Sequence, residues 1–160
     1  MPKVNTPLPP ENFAISTQWT RRMNALKLWL TLKVHGREAY EEHIDRQIRL
    51  AEWLKQQIGT SPYFKLFAPP MLPIFNLCLR ENLDTEENNT LTLQAIVSEV
   101  TRDGQQWIST TLVNGRTVIR VMIISYLTEQ RHLQELLERL HRAAEANLGS
   151  QKTRRTPVGR

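Results

Sequence analysis

The sequence predicts an α+β fold, a small and largely antiparallel sheet covered by helices and preceded by two long helices. Three observations carry this. Helical and β-rich segments follow in the order helix, helix, strand, strand, helix, strand, strand, helix. The last two β-rich runs are separated by Asn114-Gly115, the strongest short-range hairpin signal a sequence offers. Leu133, Leu136, Leu137 and Leu140 recur at i, i+3, i+4 and i+7, the stripe of a closing amphipathic helix.

Taken in order, residues 1–19 contain Pro2, Pro7, Pro9 and Pro10 and no periodicity, and read as an extended arm. From residue 20 to 58 helix formers dominate, with Gly36 as the point where two helices meet. In the first, Ala25, Leu26, Leu28, Trp29, Leu30, Leu32 and Val34 are apolar nearly all round, which predicts burial on several sides. The second places Tyr40, Ile44, Ile48, Ala51 and Lys55 on one stripe, widened by Leu50, Trp53, Leu54 and Ile58.

Pro62 closes the helical region, and YFKLFA and then PIFNLCLR (73–80) read as two strands separated by Pro69 and Pro70. The polar stretch ENLDTEENN reads as a loop, followed by a helix from about Leu91 to Arg102 with Leu93, Ile96, Val97 and Val100 on one side, ended by Gly104. QWISTTLV and RTVIRVMIIS then pair antiparallel across the Asn114-Gly115 turn, and Thr128 is the expected N-cap of the last helix. The domain is expected over residues 20–148, with a disordered basic tail at 149–160.

The chain has 160 residues, 40% of them hydrophobic, enough for one domain with a core. Cys78 is the only cysteine, which leaves no intramolecular disulfide and fits a reducing, cytoplasmic setting. No segment approaches the roughly 18 apolar residues of a membrane span, and the N-terminus has no signal-like apolar core. The net charge is +5, but Lys152, Arg154, Arg155 and Arg160 concentrate that charge at the end of the chain, so nucleic-acid binding is not the expected role. His35, His43, His132 and His141 show no metal-ligand spacing with one another or with Cys78, and no metal is expected.

The run Thr20-Arg21-Arg22-Met23-Asn24-Ala25-Leu26-Lys27-Leu28-Trp29 resembles the R-R-x-x-A/S-L-K-x-W segment of the group II pyridoxal-phosphate-dependent amino-acid decarboxylases. Gly36-Arg37-Glu38, His43-Ile44-Asp45-Arg46-Gln47 and Leu50-Ala51 follow at that family's spacings. Trp107-Ile108-Ser109-Thr110-Thr111, Gly115-Arg116 and Thr117 to Ile123 are similar to its closing strands, so the resemblance spans about residues 16–145. It implies the C-terminal portion of such an enzyme, with the fold of the C-terminal domain of fold-type I pyridoxal-phosphate enzymes.

What the resemblance implies about chemistry is a carbon–carbon lyase that removes the α-carboxylate of an amino acid. In that family a lysine following a histidine forms the Schiff base with pyridoxal phosphate, whose ring acts as electron sink. This sequence has no His-Lys dipeptide, and its lysines are Lys3, Lys27, Lys33, Lys55, Lys65 and Lys152. The expectation is therefore a truncated product, a split gene or an isolated C-terminal part, inactive by itself, that joins a large decarboxylase domain or a second copy of itself. The alternative is a non-catalytic partner subunit derived from such an enzyme.

Two residues are site candidates. Arg120 shares a strand face with Val118, Met122 and Ile124, and a buried guanidinium needs an anion or a path to solvent. The resemblance implies that it holds a substrate carboxylate, for which a guanidinium fork is suited. A structural ion pair with Glu or Asp and an edge-strand arginine reaching solvent are the other two readings. Thr20 opens the long helix, where a hydroxyl caps free amides and anions are attracted; the resemblance places it near the cofactor phosphate of a neighbouring subunit, and plain N-capping is the alternative. Arg21 and Arg22 add positive potential there, one of them as a structural salt bridge. Ser109, Thr110 and Thr111 lack an adjacent histidine and aspartate and read as β-formers. Ser125 stands where the family commonly has an asparagine-containing sequence, and no role is assigned to it.

Overall fold

The computed structural model describes residues 23–70, 72–81 and 83–155, with side chains described to Gly149. The chain divides between Glu41 and Glu42 into two units.

Helix α1 (Asn24–Thr60) is broken at Gly36, where φ 75° and ψ 175° are non-helical and readily reached only without a Cβ. The two expected helices thus meet where the glycine predicts. In the first unit Leu26, Leu28, Trp29, Leu30, Leu32 and Val34 all stay exposed, against the burial expected of them. An all-round apolar helix has no single face to turn inward. Lys33 lies over the Trp29 ring at 5.9 Å, and Arg37 pairs with Glu41 at 2.6 Å.

The second unit carries the core. Within its part of α1 the buried residues are Leu54 and Ile58, backed by partly buried Leu50, Ala51 and Trp53, whereas Ile44 and Ile48 are exposed. The inward stripe is therefore that of Leu50, Leu54 and Ile58 rather than that of Ile44 and Ile48. It is followed by β1 (Phe64–Leu66), β2 (Ile74–Leu79), α2 (Glu86–Thr101), β3 (Ser109–Val113), β4 (Arg116–Met122) and α3 (Gln130–Arg155). The four strands form one antiparallel sheet in the order β1-β2-β4-β3.

Alternation sends Phe75, Leu77 and Leu79 of β2 and Ile119 and Val121 of β4 into one core with Leu93, Ile96 and Val100 of α2 and Leu133, Leu136, Leu137 and Leu140 of α3. Burying each such side chain contributes on the order of 1.5–3 kcal/mol. Asn114 (φ 50°) and Gly115 (φ 76°) both adopt positive φ, as a two-residue turn matched to strand twist requires.

Two boundaries differ from expectation. Helix α2 starts at Glu86, inside the stretch read as loop, because Thr85 caps it: its hydroxyl accepts from the Asn88 N–H at 3.1 Å, and Glu86 and Glu87 place negative charge in the first turn. At α3 the expected Thr128 cap gives way to Glu129, whose backbone N–H donates to His132 Nδ1 at 3.0 Å. A side chain three residues into the helix reaches back to the cap amide, one half of a capping box.

Candidate functional site

The face of the sheet opposite the core is a grid fixed by register. Asn76 of β2 and Ser109 of β3 both pair with Arg120 of β4, Ile74 pairs with Met122, and Thr111 pairs with Val118. Because successive residues alternate, Ile74, Asn76, Cys78, Val118, Arg120, Met122, Ser109 and Thr111 share this face. Val118 is fully buried there, yet it lies outside the main core cluster.

Arg120 stands at the middle of the grid. Strand β4 is flanked by β2 and β3, so it is not an edge strand. Among the described residues Arg120 forms no ion pair. Its Nε is buried and has no hydrogen-bond acceptor, and Asn76 Oδ1, on the register partner, is buried and has no donor. A guanidinium carries five N–H donors and no acceptor, so its chemistry is suited to carboxylate oxygens. Cys78, on the same face, directs its thiol to the Lys65 carbonyl at 3.6 Å, and burial pushes its pKa up, which makes it a poor nucleophile. Thr20, Arg21 and Arg22 lie outside the described residues.

Beside the end of β4 the chain leaves an open depression of about 470 Å³ bordered by Trp107, Met122, Ile124, Leu127 and His132. Of its border Trp107, Ile124 and Leu127 are exposed apolar side chains, and Tyr126 in the same stretch of chain as Ile124 and Leu127 is exposed too. The loop that carries Ile124, Tyr126 and Leu127 is held from α1. Arg46 donates to the carbonyls of Tyr126 (3.5 Å) and Thr128 (3.2 Å), and His43 meets the Tyr126 ring edge-on at 6.4 Å between centroids. Ser125 Oγ accepts from the Leu127 N–H at 3.2 Å and shapes the same loop, a role its sequence position did not reveal.

Four of the six lysines have described side chains. Lys27, Lys33, Lys55 and Lys65 are exposed, and the Lys55 amine pairs with Glu52 at 3.1 Å. A lysine that condenses with a cofactor aldehyde is activated by desolvation or by a neighbouring cation. Among the described residues the non-core face of the sheet carries a partly buried guanidinium whose Nε has no acceptor.

Comparison with known proteins agrees with the resemblance noted above. The profile of the pyridoxal-dependent decarboxylase conserved domain matches residues 9–80. A phenylacetaldehyde synthase of Arabidopsis thaliana is 29% identical over 115 residues, covering 72% of this chain and 24% of the relative. An aromatic-L-amino-acid decarboxylase of Bacillus atrophaeus is 30% identical over 128 residues, covering 79% and 26%. The crystal structure of Oryza sativa TDC with PLP and tryptamine superposes with a TM-score of 0.70 at 22% identity, over 79% of this chain and 27% of that one. Mouse CSAD in apo form gives 0.71 at 20% identity, over 80% and 28%. The chain spans about a quarter of the length of the curated relatives it matches. Among the described residues no helix is long and apolar enough to cross a membrane.

Proposed function

Because the chain is homologous to one segment of the pyridoxal-dependent decarboxylases, we propose that it supplies the carboxylate-recognising wall of an amino-acid decarboxylase, with Arg120 as the substrate-binding residue. The single observation that carries this is the half-buried guanidinium on the non-core face of the sheet, whose buried Nε has no acceptor. Decarboxylation requires the amino acid to be held in one orientation, and two parallel hydrogen bonds from a fixed guanidinium provide it.

Pyridoxal phosphate would be held by the remainder of the enzyme, with Thr20 as this chain's contribution near the phosphate. The segment would therefore act joined to a large decarboxylase domain, in a homodimer, and a single cysteine suits a cytoplasmic location. A second reading, a non-catalytic partner subunit, is favoured by the exposure of Lys27, Lys33, Lys55 and Lys65 and of the apolar residues Leu26, Leu28, Trp29, Leu30, Leu32 and Val34.

The experiment is cofactor incubation followed by borohydride reduction and mass mapping, run beside a decarboxylation assay. The isolated chain should show no stoichiometric, site-specific pyridoxyl-lysine and release no carbon dioxide. A chimera in which it replaces the corresponding quarter of the Bacillus atrophaeus relative should release carbon dioxide from an aromatic amino acid. A pyridoxyl-lysine with turnover in the isolated chain, or a folded, cofactor-loaded chimera without turnover, would count against the proposal.

A further inference from the structure

Asn76 and Arg120 are register partners on adjacent strands, and each leaves one buried polar atom unpaired, Oδ1 on Asn76 and Nε on Arg120. The two atoms are complementary: Oδ1 only accepts and Nε–H only donates. Side chains directly opposite across an antiparallel pair have Cβ atoms about 4.5–5.5 Å apart, so each lies within reach of the other. Leaving both unpaired costs free energy that a single contact between them would recover.

From this we infer that Asn76 is the positioning residue of Arg120. Its Oδ1 takes the Nε–H when the guanidinium engages a carboxylate, so that the Nη1 and Nη2 donors point to the anion as a fixed fork. This rests on the reading of Arg120 as an anion-binding group and adds the residue that orients it. The choice of amide matters. A neutral acceptor anchors Nε without cancelling the positive charge, whereas a carboxylate at position 76 would anchor it and compete with the substrate. Ser109, the register partner of Arg120 on the other side, leaves no buried side-chain atom without a partner.

The test uses the full 160-residue chain labelled with ¹⁵N-arginine, with 3-phenylpropionate as the carboxylate probe. The Arg120 Nε–H resonance is identified by its loss in Arg120→Lys. In the wild type the probe should slow exchange of that proton with water. Asn76→Leu should speed the exchange and raise the probe Kd, each by about tenfold, the scale of one hydrogen bond to a charged group. Asn76→Asp should keep the slow exchange yet bind the probe at least as poorly as Asn76→Leu.

The inference is overturned if Asn76→Leu leaves exchange and Kd at wild-type values, or lowers only the melting temperature. The underlying reading fails separately: a wild-type chain that does not bind the probe, or an Arg120→Met chain that binds it as tightly as wild type, removes the anion role of Arg120 itself. Loss of binding in Arg120→Met with none in Asn76→Leu removes only the positioning role.

Discussion

Ser61 Oγ stands 2.8 Å from His141 Nε2, joining the end of α1 to the middle of α3 across 80 residues of sequence. The hydroxyl also accepts from the N–H groups of Phe64 (3.2 Å) and Tyr63 (3.4 Å), so its own hydrogen is donated to the imidazole. This arrangement suits a neutral His141 with its proton on Nδ1. Its ring stacks on Phe64 at 6.3 Å and meets Tyr63 edge-on at 5.7 Å.

Burial holds the His141 pKa below its ordinary 6.5. A depressed histidine pKa means that the unfolded chain takes up the proton first as pH falls, so this contribution is complete above about pH 6.5 and is lost on acidification below it. Urea unfolding at pH 7.5 and 5.5 should show a lower midpoint at the acid pH, and His141→Gln should shrink that difference. Equal differences in the two proteins would exclude His141 as the cause.

Arg80 closes the same corner. Its Nε donates to the Ser61 carbonyl at 2.6 Å and its Nη2 to the Gly59 carbonyl at 2.6 Å, satisfying acceptors that the end of α1 leaves free. Arg80→Met should cost about 1–2 kcal/mol in urea unfolding, with Arg80→Lys in between. A change within error for Arg80→Met would mean that water replaces it.

Thr85→Ala should destabilise the domain by about 1 kcal/mol, the usual loss of a helix N-cap, and Thr85→Asp should restore most of it. An unchanged midpoint for Thr85→Ala would show that Glu86, whose Oε1 accepts from the Thr117 N–H at 3.0 Å, fixes the helix start alone.

The exposed Leu28, Trp29, Leu32 and Val34 should make the isolated chain self-associate or bind a hydrophobic dye. Sedimentation and dye fluorescence are the measurements, and Leu28→Glu with Leu32→Glu should reduce both. A strictly monomeric, dye-silent wild type at high concentration would contradict the exposure.

The sheet was legible because its signals are local: an Asn-Gly turn, β-rich runs bounded by proline, and leucines at helical spacing each act within a few residues. The start of α2 was missed since the polar run from Glu81 to Asn89 carries no apolar period, while the capping threonine inside it works through a backbone amide. Arg120 stood out through alternation on its own strand. What faces it did not, because the Asn76 partnership depends on cross-strand register, and the Ser61–His141 contact depends on tertiary packing. The exposure of the Leu26–Val34 run has a related reason: composition reports how apolar a helix is and not whether a partner covers it.

Binding of the substrate carboxylate by Arg120, as proposed, is read from kcat/KM for carbon dioxide release by the chimera carrying Arg120→Lys or Arg120→Met. Lysine keeps the charge without the fork, and methionine keeps much of the apolar stem. Both should lower kcat/KM by about tenfold or more with the melting temperature nearly unchanged. An Arg120→Met chimera that melts earlier while its folded fraction turns over at the parental rate would contradict the claim.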